Sequence, residues 1–171
     1  MKFAFVAILL AACSKAPAEH KQAAAQQPAP TMAEDKIGMP GSQDLAGLSN
    51  LPATLQTEKD SRPGAKVTAD KVYAALDAKG IKMVSHHQVL ASIAGAQYCE
   101  LGATADTIAV SVCEYATHDA AVAGRKMMNE RYSKLVPDAV REVNGSTLVT
   151  IANASRHADT RAQMIQTFQQ L

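Results

Sequence analysis

The residues with the most distinctive chemistry in this 171-residue sequence are three cysteines, five histidines and seven methionines. Cysteine thiols form disulfides, bind soft metals or act as nucleophiles. Imidazole and thioether groups are ligands for copper. The cysteines separate into a single residue near the N-terminus, Cys13, and a pair, Cys99 and Cys113. What each of these residues does depends on the elements that hold it in place.

Cys99 and Cys113 lie in the stretch YCELGATADTIAVSVCEY, whose second half alternates with the period of two that is typical of a strand. A hairpin centred on Asp106 places the two cysteines opposite each other, within disulfide range. We therefore predict a structural disulfide that closes a loop of about 15 residues. The alternatives are a redox-active pair, which favours C-x-x-C spacing, a zinc site, which needs further local ligands, and two free buried thiols.

The histidines and methionines are candidate metal ligands. A capping-box pattern predicts that His86 and His87 begin a helix, on which neighbours point about 100° apart and do not share a face. Coordination of a divalent ion would need His118, His157 or methionine side chains to join them. A soft copper site with His86 or His87 could use any of four methionines: Met83, Met127, Met128 and Met164. Because methionine at helical spacing more often fills gaps in a core, we predict no metal site. Convergence of His86, His87, His118 and Met128 in one concave site would favour the opposite conclusion.

Two carboxylates, Glu100 and Glu114, lie near each other across the predicted cysteine hairpin. Paired carboxylates can act as a general acid and base, but we interpret these two as solvent-facing residues of an exposed sheet edge. The sequence contains no nucleophile elbow, P-loop, dinucleotide fingerprint or H-E-x-x-H motif. We therefore predict no catalytic residue and no cofactor.

The charge balance argues against nucleic acid as a partner. Seventeen lysine and arginine residues oppose sixteen aspartate and glutamate residues, for a formal net charge of +1. Binding to phosphate backbones requires a concentrated basic surface that releases counterions.

The elements that must position these residues follow from the pattern after Val67. In order, we predict a helix from Thr68 to Gly80, a strand over 81–84, a helix from Ser85 to Gly95, the cysteine hairpin, a long helix after Thr117, a hairpin turning at Asn144-Gly145, and a helix from Arg156. This β-α-β-β-α-β order matches the ferredoxin-like split βαβ arrangement. We therefore predict an α+β domain over 66–171, in which a small antiparallel sheet carries helices on one face and extra helices at both ends. Gly124, inside the long helix, is expected to allow close packing against the sheet.

The first thirteen residues have the pattern of a signal peptide. Lys2 precedes ten apolar residues, Phe3–Ala12, which are too few to span a membrane. Leu10-Ala11-Ala12-Cys13 resembles the lipobox of bacterial lipoprotein precursors, and the resemblance covers only this leader. It implies a signal peptide over 1–12, cleavage before Cys13, diacylglyceryl attachment to the Cys13 sulfur and acylation, as by palmitate, of the new amino group. Ser14 after the cysteine resembles the outer-membrane class, which favours that membrane over the inner one.

Residues 13–65 are predicted to be a lipidated N-terminus followed by a disordered tether. Six of the seven prolines fall here among alanine, glutamine, glycine and serine, and such a composition buries too little apolar surface to offset chain entropy. Four leucines in this stretch are spaced to form one short helix, either attached to the core or docking on a partner: Leu45, Leu48, Leu51 and Leu55.

Two hypotheses of function follow. The favoured one is a non-catalytic binding or structural module of the bacterial envelope, held to the membrane by its lipid anchor and contacting an envelope protein or polymer. The alternative is an extracytoplasmic enzyme or a copper-type metal-handling lipoprotein that uses scattered histidine, methionine and glutamate residues.

Overall fold

Five antiparallel strands form the centre of the part of the chain that the computed structural model describes, residues 50–171. Along the chain the strands are β1 (Met83–Val89), β2 (Tyr98–Thr104), β3 (Ala109–Glu114), β4 (Val140–Asn144) and β5 (Thr147–Ala152). Across the sheet their order is β1-β2-β3-β5-β4, and each neighbouring pair is antiparallel. The predicted α+β class with an antiparallel sheet is therefore confirmed.

Four α-helices accompany the sheet within these residues: α1 (Leu51–Asp60), α2 (Ala69–Ala78), α3 (His118–Tyr132) and α4 (Ala158–Gln169). Two of them begin at the predicted N-caps. The side chain of Thr68 accepts a hydrogen bond from the Lys71 amide, and that of Thr117 accepts one from the Ala120 amide. Each cap satisfies one of the amides that a helix leaves without a partner in its first turn. In the described part of the chain, no helix is long and apolar enough to cross a bilayer.

The helix predicted from Ser85 to Gly95 is wrong. Residues 83–89 form strand β1, and only Ala91–Ala94 turn, as one 3₁₀ segment that ends at Gly95 with φ of 65°. The reason is long-range: β1 pairs with β2 from Met83 opposite Thr104 to Val89 opposite Cys99. These ladder hydrogen bonds outweigh a local helix signal that rests on a cap and few strong helix formers.

This change also corrects the predicted strand order. In a split βαβ fold a helix separates the first two strands and the sheet contains a parallel pair. Here β1 and β2 are instead neighbours, joined by the short 3₁₀ connection. The described sheet therefore consists of a three-stranded meander, β1 to β3, whose last strand pairs with β5 of a second hairpin.

The helices cover both faces of the sheet, not one as predicted. On one face, α2 and α4 enclose a core that includes Val72, Val110 and Phe168. On the other face, α3 and the 3₁₀ segment pack over a smaller core that includes Cys113 and Leu148. The second core forms because β3 and β5 also carry apolar side chains at the positions that point to this face of the sheet. Burial removes these side chains from water as well.

The cysteine hairpin has the predicted register. Cys99 lies directly opposite Cys113, and the structure joins them in a disulfide with their Cα atoms 4.1 Å apart. Both residues are buried in the core beneath α3. The second hairpin forms where it was predicted, but its turn lies one residue later than the predicted Asn144-Gly145. Asn144 ends β4 and pairs with Thr147, so Gly145 and Ser146 form the turn. Gly145 has φ of 58°, a conformation that glycine adopts without steric cost.

The folded part of the chain begins earlier than the predicted boundary at residue 66. Helix α1 lies within the predicted tether, and Gln88 donates a side-chain hydrogen bond of 2.7 Å to the Leu55 carbonyl. The Ala91 amide donates to the Glu58 carboxylate at 3.0 Å. Of the two interpretations of the leucine-bearing segment, attachment to the core is therefore the one observed for α1. The predicted signal peptide, Cys13 and the remaining tether lie outside the described residues.

Gly124 explains the close approach of α3 to the sheet. A Cβ atom at this position would lie 2.7 Å from Cε1 of Tyr115. Tyr115 is 1% exposed and donates a 2.9 Å hydrogen bond to the Ala94 carbonyl. Burial raises the pKa of the Tyr115 hydroxyl to about 12, so it remains a protonated donor. The ring has no room to move away, which confirms the close packing expected from the sequence.

We expect Gly124→Ala to lower the free energy of unfolding, because the new methyl group overpacks the Tyr115 contact at a cost of about 1–3 kcal/mol. The roughly 1 kcal/mol that alanine contributes through helix propensity offsets part of this cost, so the net loss is up to about 2 kcal/mol. The matched control is the reverse change at the preceding exposed residue, where Ala123→Gly should cost about 1 kcal/mol. Urea unfolding measures both variants, and an increase in stability for Gly124→Ala would contradict the packing argument.

Candidate functional site

A buried carboxylate begins the most extensive polar network among the described residues. Glu114, the last residue of β3, has 0% exposure. Arg62 donates three hydrogen bonds to it: from Nη2 to Oε1 at 2.6 Å, and from Nε to Oε1 at 3.1 Å and to Oε2 at 3.0 Å. The Ala69 amide, at the start of α2, donates to Oε1 at 2.8 Å. The prediction that Glu114 faces solvent is therefore wrong.

Arg62 connects this carboxylate to the surface. Its guanidinium pairs with Asp70 at 2.8 Å, and it also lies 4.3 Å from the centroid of the Tyr98 ring, a cation–π contact. The hydrogen bond to Glu114 raises the pKa of Arg62 further above its already high value. The network thus holds the segment between α1 and α2 against the sheet through a permanent positive charge.

Glu100 is the second buried carboxylate, with 6% exposure, so its predicted position at an exposed edge is also wrong. Oε1 accepts a 2.6 Å hydrogen bond from the Tyr98 hydroxyl. Burial and this hydrogen bond raise the pKa of Tyr98 above its usual range, so the hydroxyl remains a donor. Oε2 accepts no hydrogen bond of good geometry within the described part of the chain, although Nδ1 of His86 lies 3.3 Å away.

His86 carries the network into a cleft between α2 and β1. Its ring stacks on Tyr73 with centroids 5.1 Å apart, and the Tyr73 hydroxyl is fixed by a 3.0 Å hydrogen bond to the Val110 carbonyl. The cleft has a volume of about 350 Å³. It is lined by Asp70, Tyr73, Ala74, Asp77, Met83 and His86.

Of the predicted ligands, Met83 lines the cleft together with His86, whereas His87, His118 and Met128 do not. As its neighbour on a strand, His87 points to the opposite face of β1. His118 begins α3, where Nδ1 lies 2.7 Å from the Gly145 carbonyl, and Met128 packs in the core beneath α3. Among residues 50–171, no three histidine, cysteine, aspartate or glutamate side chains are grouped to hold a metal ion. Within the part of the chain that the structure describes, His86, His87, His118 and Met128 therefore do not converge in one concave site.

Sequence reasoning missed Arg62, Tyr73 and Tyr98, the residues that connect the two carboxylates to the cleft. Arg62 lies 52 residues from Glu114 in the chain, in a segment that reads as tether, and no local pattern marks it. The tyrosines carried one usable signal, because a buried tyrosine hydroxyl needs a partner and two carboxylates lie on the same hairpin.

As a chemical site, the network divides into two parts. Glu114 is fully engaged by Arg62 and a backbone amide, which gives it a structural role. Glu100 and His86 form the part that reaches solvent, since the His86 side chain is 53% exposed. No known protein family, curated protein sequence or solved structure matches the chain.

Proposed function

We propose that this chain is a lipid-anchored lipoprotein of the bacterial cell envelope, with a folded domain that serves as a non-catalytic binding or structural module. The observation that carries the proposal is the buried Cys99–Cys113 disulfide, which joins the neighbouring strands β2 and β3. Disulfides persist in oxidising compartments and are rare in the cytosol. An exported address, as the lipobox at Leu10–Cys13 implies, supplies such a compartment.

The anchor is proposed to consist of the lipid chains on Cys13. A single acyl chain binds a bilayer only marginally, whereas a second chain makes the attachment effectively stable, since each buried methylene contributes about 0.8 kcal/mol. Diacylglyceryl modification supplies two chains at once. The tether predicted between Cys13 and α1 would let the domain contact an envelope protein or polymer away from the membrane surface. Ser14 favours the outer membrane.

The non-catalytic part of the proposal is supported by the state of the buried carboxylates. Glu114 is engaged by Arg62, and Glu100 by Tyr98. Catalytic carboxylates need access to a substrate proton, and Glu114 has no exposed surface. The arrangement is that of a domain whose polar interior stabilises one geometry and presents its outer surface to partners.

The proposal predicts that Cys13→Ser abolishes both lipid labelling and membrane association. In the native host, the unaltered chain should incorporate a palmitate analogue and sediment with membranes. The variant should remain unlabelled and either retain its leader or be released. Mass spectrometry of the mature N-terminus should find acylated Cys13 in the unaltered chain.

Ser14→Ala is the matched control, because it changes the neighbouring residue without removing the sulfur, and its labelling should equal that of the unaltered chain. An unmodified N-terminus beginning at Met1, in a chain that stays in the soluble fraction of the native host, would contradict the proposal.

A further inference from the structure

A bulge in β1 places Met83 beside His86. In a regular strand, residues three apart point to opposite faces of the sheet. The pairing of β1 with β2 shifts register between Met83 and Ser85, and this extra residue turns Met83 to the face that His86 occupies. Both side chains consequently line the cleft against α2.

Gly102 leaves space for the Met83 side chain on the face of the sheet that His86 occupies. It is the direct cross-strand partner of His86 on β2. A Cβ atom on Gly102 would lie 3.2 Å from the sulfur of Met83 and 3.1 Å from Cε1 of Tyr73. Side chains at directly opposed positions start about 4.5–5.5 Å apart. The Met83 sulfur therefore occupies the space that a side chain at Gly102 would fill, on the strand position opposite His86.

Glu100 prepares His86 as a ligand. Its Oε2 atom is buried, lacks a well-formed hydrogen bond in the described part of the chain, and lies 3.3 Å from Nδ1 of His86. Nδ1 faces this carboxylate. When Nδ1 carries the proton of the neutral imidazole, the free lone pair is on Nε2. Histidines that bind metals commonly face a carboxylate on their other ring nitrogen in this way, and the carboxylate fixes the tautomer and raises the basicity of the ring.

We infer that the cleft binds copper(I) through the Met83 thioether and the His86 imidazole, with Glu100 positioning the imidazole. Thioether and imidazole donors select copper(I) over harder ions, and copper(I) accepts low coordination numbers. The carboxylate of Asp77 lines the same cleft and favours the approach of a cation, whereas that of Asp70 is paired with Arg62. This inference goes beyond the proposed function and depends on the folded domain alone, not on lipid attachment.

Competition for copper(I) with a chromophoric chelator, under anaerobic conditions, tests the inference. The full chain carries Cys13→Ser for this purpose, so that its remaining two cysteines are those of the disulfide. We expect one copper ion per chain. Met83→Leu and His86→Ala should each weaken binding at least about tenfold, and Glu100→Gln should weaken it by about 10–100-fold, as loss of a carboxylate behind a ligand histidine does.

His87→Ala is the matched control, since it removes the neighbouring imidazole from the opposite face of β1 and should leave the affinity unchanged. Silver(I), a diamagnetic substitute, should shift the NMR signals of the Met83 methyl group and the His86 ring in the chain without changes in the cleft, so this measurement does not depend on variants that fold. The inference is overturned if the folded chain retains no copper, if silver shifts other methionines instead, or if zinc or a cationic peptide binds the cleft more tightly than copper(I).

Discussion

Replacement of Glu114 by alanine is expected to lower the free energy of unfolding by about 3–5 kcal/mol, the cost of breaking a buried ion pair by removing one partner. The Glu114 carboxylate accepts three hydrogen bonds from Arg62 and one from the Ala69 amide. Without this carboxylate, the charge of Arg62, whose side chain is 24% exposed, has Asp70 at the surface as its remaining partner. The Ala69 amide at the start of α2 also loses its hydrogen-bond acceptor.

The matched control is Asp70→Asn, which removes the exposed carboxylate bound to the same guanidinium. The Asp70 side chain is 66% exposed, and exposed pairs contribute about 0–1 kcal/mol, so this variant should remain within 1 kcal/mol of the unaltered chain by the same estimate. Urea unfolding measures both. A Glu114→Ala cost similar to that of Asp70→Asn would show that the pair contributes little despite its burial.

The same variant tests whether the ion pair attaches α1 to the domain. Arg62 follows α1 directly, so its release from Glu114 should loosen the whole segment. Trypsin should then cleave after Lys59 and Lys66 faster than it does in the unaltered chain under conditions where the sheet stays folded. Gln88 and the Ala91 amide hold α1 at its other contacts, so the effect should be an increase in rate without complete loss of the helix.

The hairpins were predictable because their determinants are local. Alternation over Ile108–Val112 assigned β3, and the equal spacing of the two cysteines from Asp106 set a register that the structure confirms. Gly145 located the second turn to within one residue, because it supplies the left-handed backbone conformation that the turn requires. Helix caps at Thr68 and Thr117 were equally local, since each satisfies an amide three residues along the chain.

Strand β1 was not predictable in the same way, because its conformation depends on a partner strand. The sequence from Ser85 offers a helix cap and apolar residues at helical spacing, and no neighbouring residue gives a local signal against a helix. Pairing with β2 supplies the ladder hydrogen bonds that an isolated segment lacks. Once β1 is a strand, the adjacent histidines separate to opposite faces, and the bulge brings Met83 to the face of His86.

The burial of the two carboxylates was partly encoded. Glu114 has the same parity along β3 as Val110 and Val112, so the alternation that places those valines in the core places Glu114 there as well. A buried carboxylate also needs a partner, and no local pattern in the sequence identifies one for Glu114. That partner, Arg62, belongs to a segment whose composition resembles a tether, and only the folded structure brings it to β3.

Loss of the disulfide is the second large effect that we expect. Replacement of both Cys99 and Cys113 by alanine should lower the free energy of unfolding by about 3 kcal/mol, because the cross-link closes a loop of about 15 residues in the unfolded chain. Both residues are buried beside Leu148 in the core under α3, so the lost sulfur contacts add to this cost. Urea unfolding of the full chain, in a Cys13→Ser background, measures the difference.

Reductant provides the internal control. It should destabilise the chain that retains both cysteines and have no effect on the double-alanine variant, which separates loss of the cross-link from any general effect of the reagent. Peptide mapping of the disulfide requires a protease that cleaves between Cys99 and Cys113. Trypsin does not cleave there, because no lysine or arginine lies between the two cysteines. Cleavage before Asp106 places Cys99 and Cys113 on separate peptides, which should migrate as one species until they are reduced. Two thiols that react with an alkylating agent in the native, unreduced chain would contradict both the cross-link and the oxidising address that it supports.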